Sequence, residues 1–90
     1  MRDSPEMLHI SSALVRTRPE RQAAVVAEIL GVDNCEIAHA DEGRIILIIE
    51  GSTSGAVGAV LTRIATIDDV ISANLVYEQA EPVQTLGEPV

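Results

Sequence analysis

Apolar positions along this chain alternate between two spacings, a period of two and a helical period, and that alternation happens twice. Residues 8–16 (LHISSALVR) are rich in strand formers. Arg18-Pro19 ends that strand, and Pro19 suits the first position of a helix, where its missing N–H has no intrahelical role. Glu20 adds a carboxylate to the first turn, where the helix dipole favours it. Ala23, Val26, Ala27 and Leu30 make one helical stripe, and Gly31 is a plausible stop. Residues 34–40 read as a second strand, followed by the hairpin turn Asp41-Glu42-Gly43, in which Gly43 supplies a positive φ. Residues 44–50 are an almost continuous apolar run, as expected of a central strand. Gly51-Ser52-Thr53-Ser54 caps a second helix over 55–65, residues 66–69 turn the chain, and 70–78 form the last strand. Residues 1–7 are polar and irregular, and 80–90 have little to bury, so a flexible start, a domain over 8–79 and a disordered tail are expected.

The two halves superimpose. A shift of thirty-five residues carries 24–33 (AVVAEILGVD) onto 59–68 (AVLTRIATID), apolar on apolar, and sets Ile10 on Ile45 and Cys35 on Val70. Such a repeat constrains architecture more strongly than local propensity does. The unit is strand, helix, strand, and two copies give βαββαβ. Right-handed crossovers then lead to an α+β, ferredoxin-like sandwich: a four-stranded antiparallel sheet in order 4-1-3-2 with both helices on one face.

One sheet face is therefore left bare. On the last strand Ile71, Ala73, Leu75 and Tyr77 alternate with Ser72, Asn74, Val76 and Glu78, and the first set is assigned to the helices. The shift adds Ala38 and Ala40 to the inside, and polarity adds Leu8, Ile10, Ser12 and Leu14 beside Ile45, Leu47 and Ile49. The open face is then His9, Ser11, Ala13, Val15, Ile37, His39, Ile46, Ile48, Ser72, Asn74 and Val76. A slip of one residue exchanges the two sets on a strand. Either way the bare face carries more Ile and Val than a solvated sheet needs, and patches of that kind mark binding surfaces.

Ninety residues make one domain with a modest core and no room for a deep active site. The hydrophobic content of 47% is almost all Ile, Val, Leu and Ala, with Tyr77 the one aromatic side chain. A formal charge of −8 argues against nucleic acid and anionic membrane surfaces and favours a cationic partner. The lone Cys35 cannot form an internal disulfide and fits a reducing compartment. The first residues (Arg2, Asp3, Pro5, Glu6) do not look like a signal peptide, and the run Ile45 to Ile49 is too short to span a bilayer. A cytoplasmic location is expected.

The candidate chemistry is thin. His9 and His39 could bind a metal or shuttle a proton, but no histidine or cysteine pair stands at ligand spacing, so no metal or other cofactor is expected. Cys35 matches Val70 in the repeat and reads as a small packing residue rather than a redox thiol. Ferredoxin-like metallochaperones carry Cys-x-x-Cys where this chain has Thr17-Arg18-Pro19-Glu20, which argues against metal transfer. Arg16 and Arg18 at a helix start suggest phosphate binding as in acylphosphatases, but the glycine-rich loop is missing. RNA-binding members of the fold stack bases on strand aromatics, for which only Tyr77 is available. Gly43, Gly51, Gly55 and Gly58 form no phosphate loop, and Asp33, Asp41-Glu42 and Asp68-Asp69 are turn carboxylates. No catalytic constellation remains, and a binding module is expected rather than an enzyme.

Leu8-His9-Ile10-Ser11-Ser12-Ala13-Leu14-Val15, then Arg18-Pro19-Glu20-Arg21, then Val70 through Leu75-Val76-Tyr77-Glu78 resemble the NapD family in order and spacing. The resemblance runs over roughly residues 8–79 and includes the lone cysteine before the second strand. Ala13-Leu14-Val15-Arg16 departs from the family's Leu-Val-Val run, and Glu78 stands where His or Gln is common. The resemblance implies a cytoplasmic chaperone that binds the twin-arginine signal peptide of the nitrate reductase catalytic subunit NapA. Export is thereby held back until the molybdenum cofactor is inserted. It further implies that the peptide binds as a helix against the sheet, where an exposed β-branched face and surplus carboxylates would meet its apolar and basic parts. Two alternatives share the βαββαβ pattern. One is an ACT-like small-molecule sensor, disfavoured because Thr17-Arg18-Pro19 lacks the glycine expected after the first strand. The other is a structural module that self-associates, weakly or otherwise, through its open sheet.

Overall fold

The longest-range pairing in the chain is between its two ends: Met7–Thr17 (β1) runs antiparallel to Val70–Pro82 (β4). The computed structural model describes residues 7–82. Between those strands come a single 3₁₀ turn, Pro19–Arg21, the helix Gln22–Ile29 (α1), the strands Cys35–Asp41 (β2) and Arg44–Gly51 (β3), and the helix Ser54–Ala65 (α2). The sheet order is β2-β3-β1-β4, the expected 4-1-3-2 counted from the other edge, with all pairings antiparallel. The fold is the ferredoxin-like α+β sandwich.

Local chemistry explains the element ends. Thr53 caps α2, its Oγ1 accepting the Ala56 N–H at 3.0 Å. The β2–β3 hairpin closes on Glu42 and Gly43, both at positive φ (50° and 82°), the requirement of a two-residue turn whose twist matches the strands. Gly43 also locks the hairpin to the rest of the molecule. Its carbonyl accepts the Thr17 N–H at 2.8 Å, and its own N–H donates to Gln22 Oε1 at 2.6 Å. The 3₁₀ turn is tied to the other half by Arg21, whose Nε donates to Asp69 Oδ2 at 3.0 Å, with Arg18 Nη2 at 3.7 Å from Asp69 Oδ1.

The core lies between the helices and one sheet face. Ala13, Val15, Ile45, Leu47 and Ile49 from the sheet meet Val25, Ile29, Val57 and Ile64 from the helices, all at most 1% exposed. The repeat is visible in it. Ile29 and Ile64 are both buried, Val32 and Ile67 follow them into the interior, and Asn34 and Asp69 both turn the chain at positive φ (69° and 75°). Cys35 and Val70 then both pack against the core from partly buried positions, so Cys35 is a packing residue as its match to Val70 implied.

One expectation about α1 is corrected, since Val25 and Ile29 are its buried residues while Ala23, Ala27 and Leu30 of the expected stripe are exposed, and three more concern β1, β4 and the extent of the domain. Ser11, Ala13 and Val15 are fully buried beneath the helices, so β1 faces the opposite way from its polarity-based assignment, and Leu8, Ile10, Ser12 and Leu14 lie on the open side. The physical reason lies in the connections: Ser11, Ala13 and Val15 match Ile45, Leu47 and Ile49 at a shift of thirty-four, one residue less than the helices, and in a strand one residue exchanges the faces. Second, β4 contains two register shifts, one between Ser12 and Ala13 and one between Arg16 and Thr17 on its partner strand. They break the simple alternation, so Ile71 and Tyr77 stand 66% and 61% exposed instead of entering the core. Third, the ordered domain is longer than 8–79: Met7 pairs with Pro82, and Gln79 to Pro82 extend β4 against Met7 to Ile10. The remaining terminal expectations, for 1–6 and 83–90, lie outside the described residues.

Candidate functional site: the open sheet face

Because residues paired across an antiparallel ladder point to the same face, the strand registers fix what the bare surface carries. At one end Asp41, Arg44, Arg16 and Ser72 lie in a row across β2, β3, β1 and β4. The next row is His39, Ile46, Leu14 and Asn74, and the one after it Glu36, Ile48, Ser12 and Tyr77. Beyond that come Glu50, Ile10 and Gln79, then Leu8 beside Glu81. The centre of the face is thus an apolar strip along β1 and β3, formed by Ile10, Leu14, Ile46 and Ile48. Arg16 and Arg44 bound it at one end, while in the other half Glu36 flanks Ile48 on the β2 edge, Glu50 lies level with Ile10, and Glu81 follows beside Leu8.

The strip is accessible. Ile46 is 38% exposed, and Leu14, Ile48 and Ile10 are partly covered only by their neighbours on the sheet. Along β4 a polar run borders it, with Tyr77 Oη donating to Gln79 Oε1 at 3.3 Å and Gln79 Nε2 donating to Glu81. Two shallow depressions adjoin at the acidic end. One, of about 200 Å³, is lined by Asn34, Cys35, Glu36, Ile48 and Glu50. The other, of about 370 Å³, includes Leu8, Asn34, Glu50 and Thr53, so Glu50 forms a wall of both. Burial raises the Cys35 thiol above its ordinary pKa, which favours its protonated form.

Of the eleven residues assigned to this face from sequence, His39, Ile46, Ile48, Ser72 and Asn74 are on it, and Val76, left without a partner by the β4 bulge, is 62% exposed. Ile37 pairs with Leu47 on the core side, because an extra residue at Ala38 interrupts the alternation of β2 and leaves Ala38 exposed instead of inside, and His9 pairs with Ala80 on the core side too. Ser11, Ala13 and Val15 belong to the core. The two histidines are therefore on opposite faces and cannot share a ligand. His9 Nδ1 lies 3.4 Å from Glu78 Oε2 without a hydrogen bond, and that oxygen accepts one from Ser54 Oγ at 2.9 Å, which ties β4 to the start of α2. Among the described residues no three His, Cys, Asp or Glu side chains are grouped to hold a metal, and no helix is long and apolar enough to cross a membrane.

Sequence reasoning left out Leu8, Ile10, Ser12, Leu14, Arg16, Glu36, Arg44, Glu50 and Tyr77. For β1 a usable signal was present: at a shift of thirty-four, Ser11, Ala13 and Val15 match Ile45, Leu47 and Ile49.

The described residues thus form a ferredoxin-like domain with one largely apolar sheet face left uncovered by the helices. Comparison with known proteins gives the class a family. The profile of the family described as NapD protein matches residues 8–82. The chaperone NapD of Paracoccus pantotrophus is 36% identical over 75 residues, covering 83% of this chain and 67% of that protein. The solution structure of the E. coli Tat proofreading chaperone protein NapD superimposes with a TM-score of 0.74 at 22% identity, covering 92% of this chain and 88% of that one. A putative antibiotic biosynthesis monooxygenase from Chloroflexus aurantiacus shares the fold at a TM-score of 0.50 and 15% identity, with 84% and 91% covered. The chain belongs to the NapD family of chaperones.

Proposed function

We propose that this chain binds the twin-arginine signal peptide of a NapA-type nitrate reductase catalytic subunit in the cytoplasm and delays its export until the molybdenum cofactor is in place. The observation that supports this most directly is the open face itself. An apolar strip of Ile10, Leu14, Ile46 and Ile48 can receive the hydrophobic segment of such a peptide, and Glu36, Glu50 and Glu81 can receive its arginines. Desolvating four aliphatic side chains supplies the non-specific part of the affinity, at about 25 cal/mol for each Å² removed from water. Guanidinium–carboxylate contacts add orientation and selectivity, because arginine's planar fork pairs with carboxylates in a way that lysine's ammonium does not. A small, partly wet interface would suit a complex that has to release its client.

The test is retention. Immobilised chain is expected to retain the full NapA signal peptide and to retain much less of the same peptide with both arginines changed to lysine. Equal retention of the two would contradict the arginine-specific reading, and retention of neither would contradict the function.

A further inference from the structure

The open face is not symmetrical along the strands, and its asymmetry carries information about how a partner lies on it. Arg16 and Arg44 are directly paired across β1 and β3, with Asp41 next in the row as the only carboxylate. In the other half of the face Glu36 pairs with Ile48, two rows from the arginines, and Glu50 follows one row further on the same face of β3, diagonal to it. The ion pairs among the described residues are Arg18–Glu20, Arg18–Asp69 and Arg21–Asp69, and none involves Glu36, Glu50, Arg16 or Arg44. Like charges directly opposite each other on a sheet destabilise it, as for Arg16 and Arg44, and neither these arginines nor the diagonal Glu36 and Glu50 have an ion-pair partner within the described residues. Between them, from Ile10 to Arg16, the strand covers about 20 Å, the length of roughly thirteen helical residues.

We propose that the face is directional, and that it takes an apolar helical segment headed by arginines in one orientation only. The N-terminal arginines lie at the Glu36–Glu50 end, in the two depressions that share Glu50, and the C-terminal end of the helix lies over Arg16 and Arg44. The helix dipole acts in the same sense as the side chains. The partial positive charge at its N-terminus meets the carboxylates, and the partial negative charge of its last carbonyls meets the arginine pair. A helix laid the other way sets arginine against arginine and its C-terminal carbonyls against two glutamates. This proposal rests on the binding role argued above and adds the polarity of the bound segment.

Direction can be read separately from binding. The probe is a synthetic peptide of two arginines followed by thirteen leucines and alanines, carrying a nitroxide at either its N- or its C-terminal end, added to the ¹⁵N-labelled full chain. The N-terminal label is expected to broaden the amides of Glu36, Glu50 and Ile10, and the C-terminal label those of Arg16 and Arg44. The reverse pattern, or equal broadening of both ends by both labels, overturns the directional proposal and leaves the binding role standing. Broadening confined to the helical side, or none with either label, overturns both. As a second arm, the Glu36→Gln, Glu50→Gln double variant is expected to bind this peptide about tenfold more weakly while its circular dichroism stays unchanged. The chain is expected to bind the peptide with a free C-terminal carboxylate more tightly than its C-terminal amide, and Arg16→Gln is expected to reduce that difference. If neither variant changes binding, the charged ends play no part and the proposal falls.

Discussion

Leu14 and Ile46 stand directly opposite each other at the middle of the open face, one residue along the chain from the fully buried Val15 and Ile45 pair. One pair is core and the next is a docking surface, on the same two strands. Glutamate substitutions should separate the roles sharply. Ile48→Glu and Leu14→Glu should cost little stability and abolish peptide binding. Leu47→Glu places a charge in a fully buried site and should cost several kcal/mol, enough to unfold a domain of this size. Circular dichroism melts and peptide titration on the three variants provide the check. Unfolding by Leu14→Glu would show that its side chain is needed by the core.

Gly43 is the residue whose replacement should hurt most for its size. It sits at φ 82°, and an added Cβ would run into the Thr17 carbonyl, part of the backbone that its own carbonyl helps hold. Gly43→Ala should lower stability by about 2 kcal/mol, combining an unfavourable backbone conformation with a displaced strand end. Urea unfolding measures it. A loss below about half that would mean the hairpin can shift away from β1 at no cost.

The extension of β4 has its own consequence. Ending the chain at Glu78 removes the partners of Met7 to Ile10, leaving Leu8 and Ile10 at the edge of the sheet. The melting temperature should fall by several degrees, since about 1 kcal/mol moves a domain of this size by 4–8 °C. An unchanged melting temperature would show that residues 79–82 add nothing to the fold.

Cys35 should behave as a packing residue whose thiol is held back by burial. Its folded pKa is raised above its unfolded value, so the group's contribution to stability is complete below the unfolded thiol pKa and is lost as pH rises through the folded one. Cys35→Ala should cost about 1 kcal/mol at neutral pH and leave peptide binding intact. The stability difference between the two proteins should shrink as the solution is made alkaline. Rapid alkylation of native Cys35 at neutral pH, together with lost binding in the alanine variant, would overturn this.

The repeat explains both what could be read from sequence and what could not. From α1 to β2 and from α2 to β4 the thirty-five-residue shift holds: Ile29 and Ile64 are buried, Asn34 and Asp69 have the same unusual φ, and Cys35 and Val70 pack alike. The preceding strands follow a shift of thirty-four. Ser11, Ala13 and Val15 are the inward residues that match Ile45, Leu47 and Ile49. The two crossover connections thus differ by one residue, and in a strand one residue exchanges the faces. Topology survives such a slip, because element order and crossover handedness do not depend on it; the list of exposed side chains does not. On β4 the bulges had the same effect locally, since nothing in Ile71 or Val76 announces an extra residue in the ladder.

Charge should modulate binding without dominating it. With a net charge of −8 the chain should associate with a basic peptide faster at low salt, and affinity should decline gently as ionic strength rises. Replacing the peptide's two arginines by glutamine should remove most of that salt response and part of the affinity. Calorimetry from low to physiological salt distinguishes the cases. Equal binding of both peptides at all salt concentrations would assign recognition to the apolar segment alone.

The central claim is that the bare sheet face is the binding site, and the most direct measurement is a titration of the ¹⁵N-labelled chain with the NapA signal peptide, followed by amide chemical shifts. The shifts should concentrate on Ser12, Leu14, Ile46, Ile48 and Tyr77 and leave the outer surfaces of α1 and α2 unmoved. Shifts confined to the two helices, with those five amides unchanged at saturation, would contradict it.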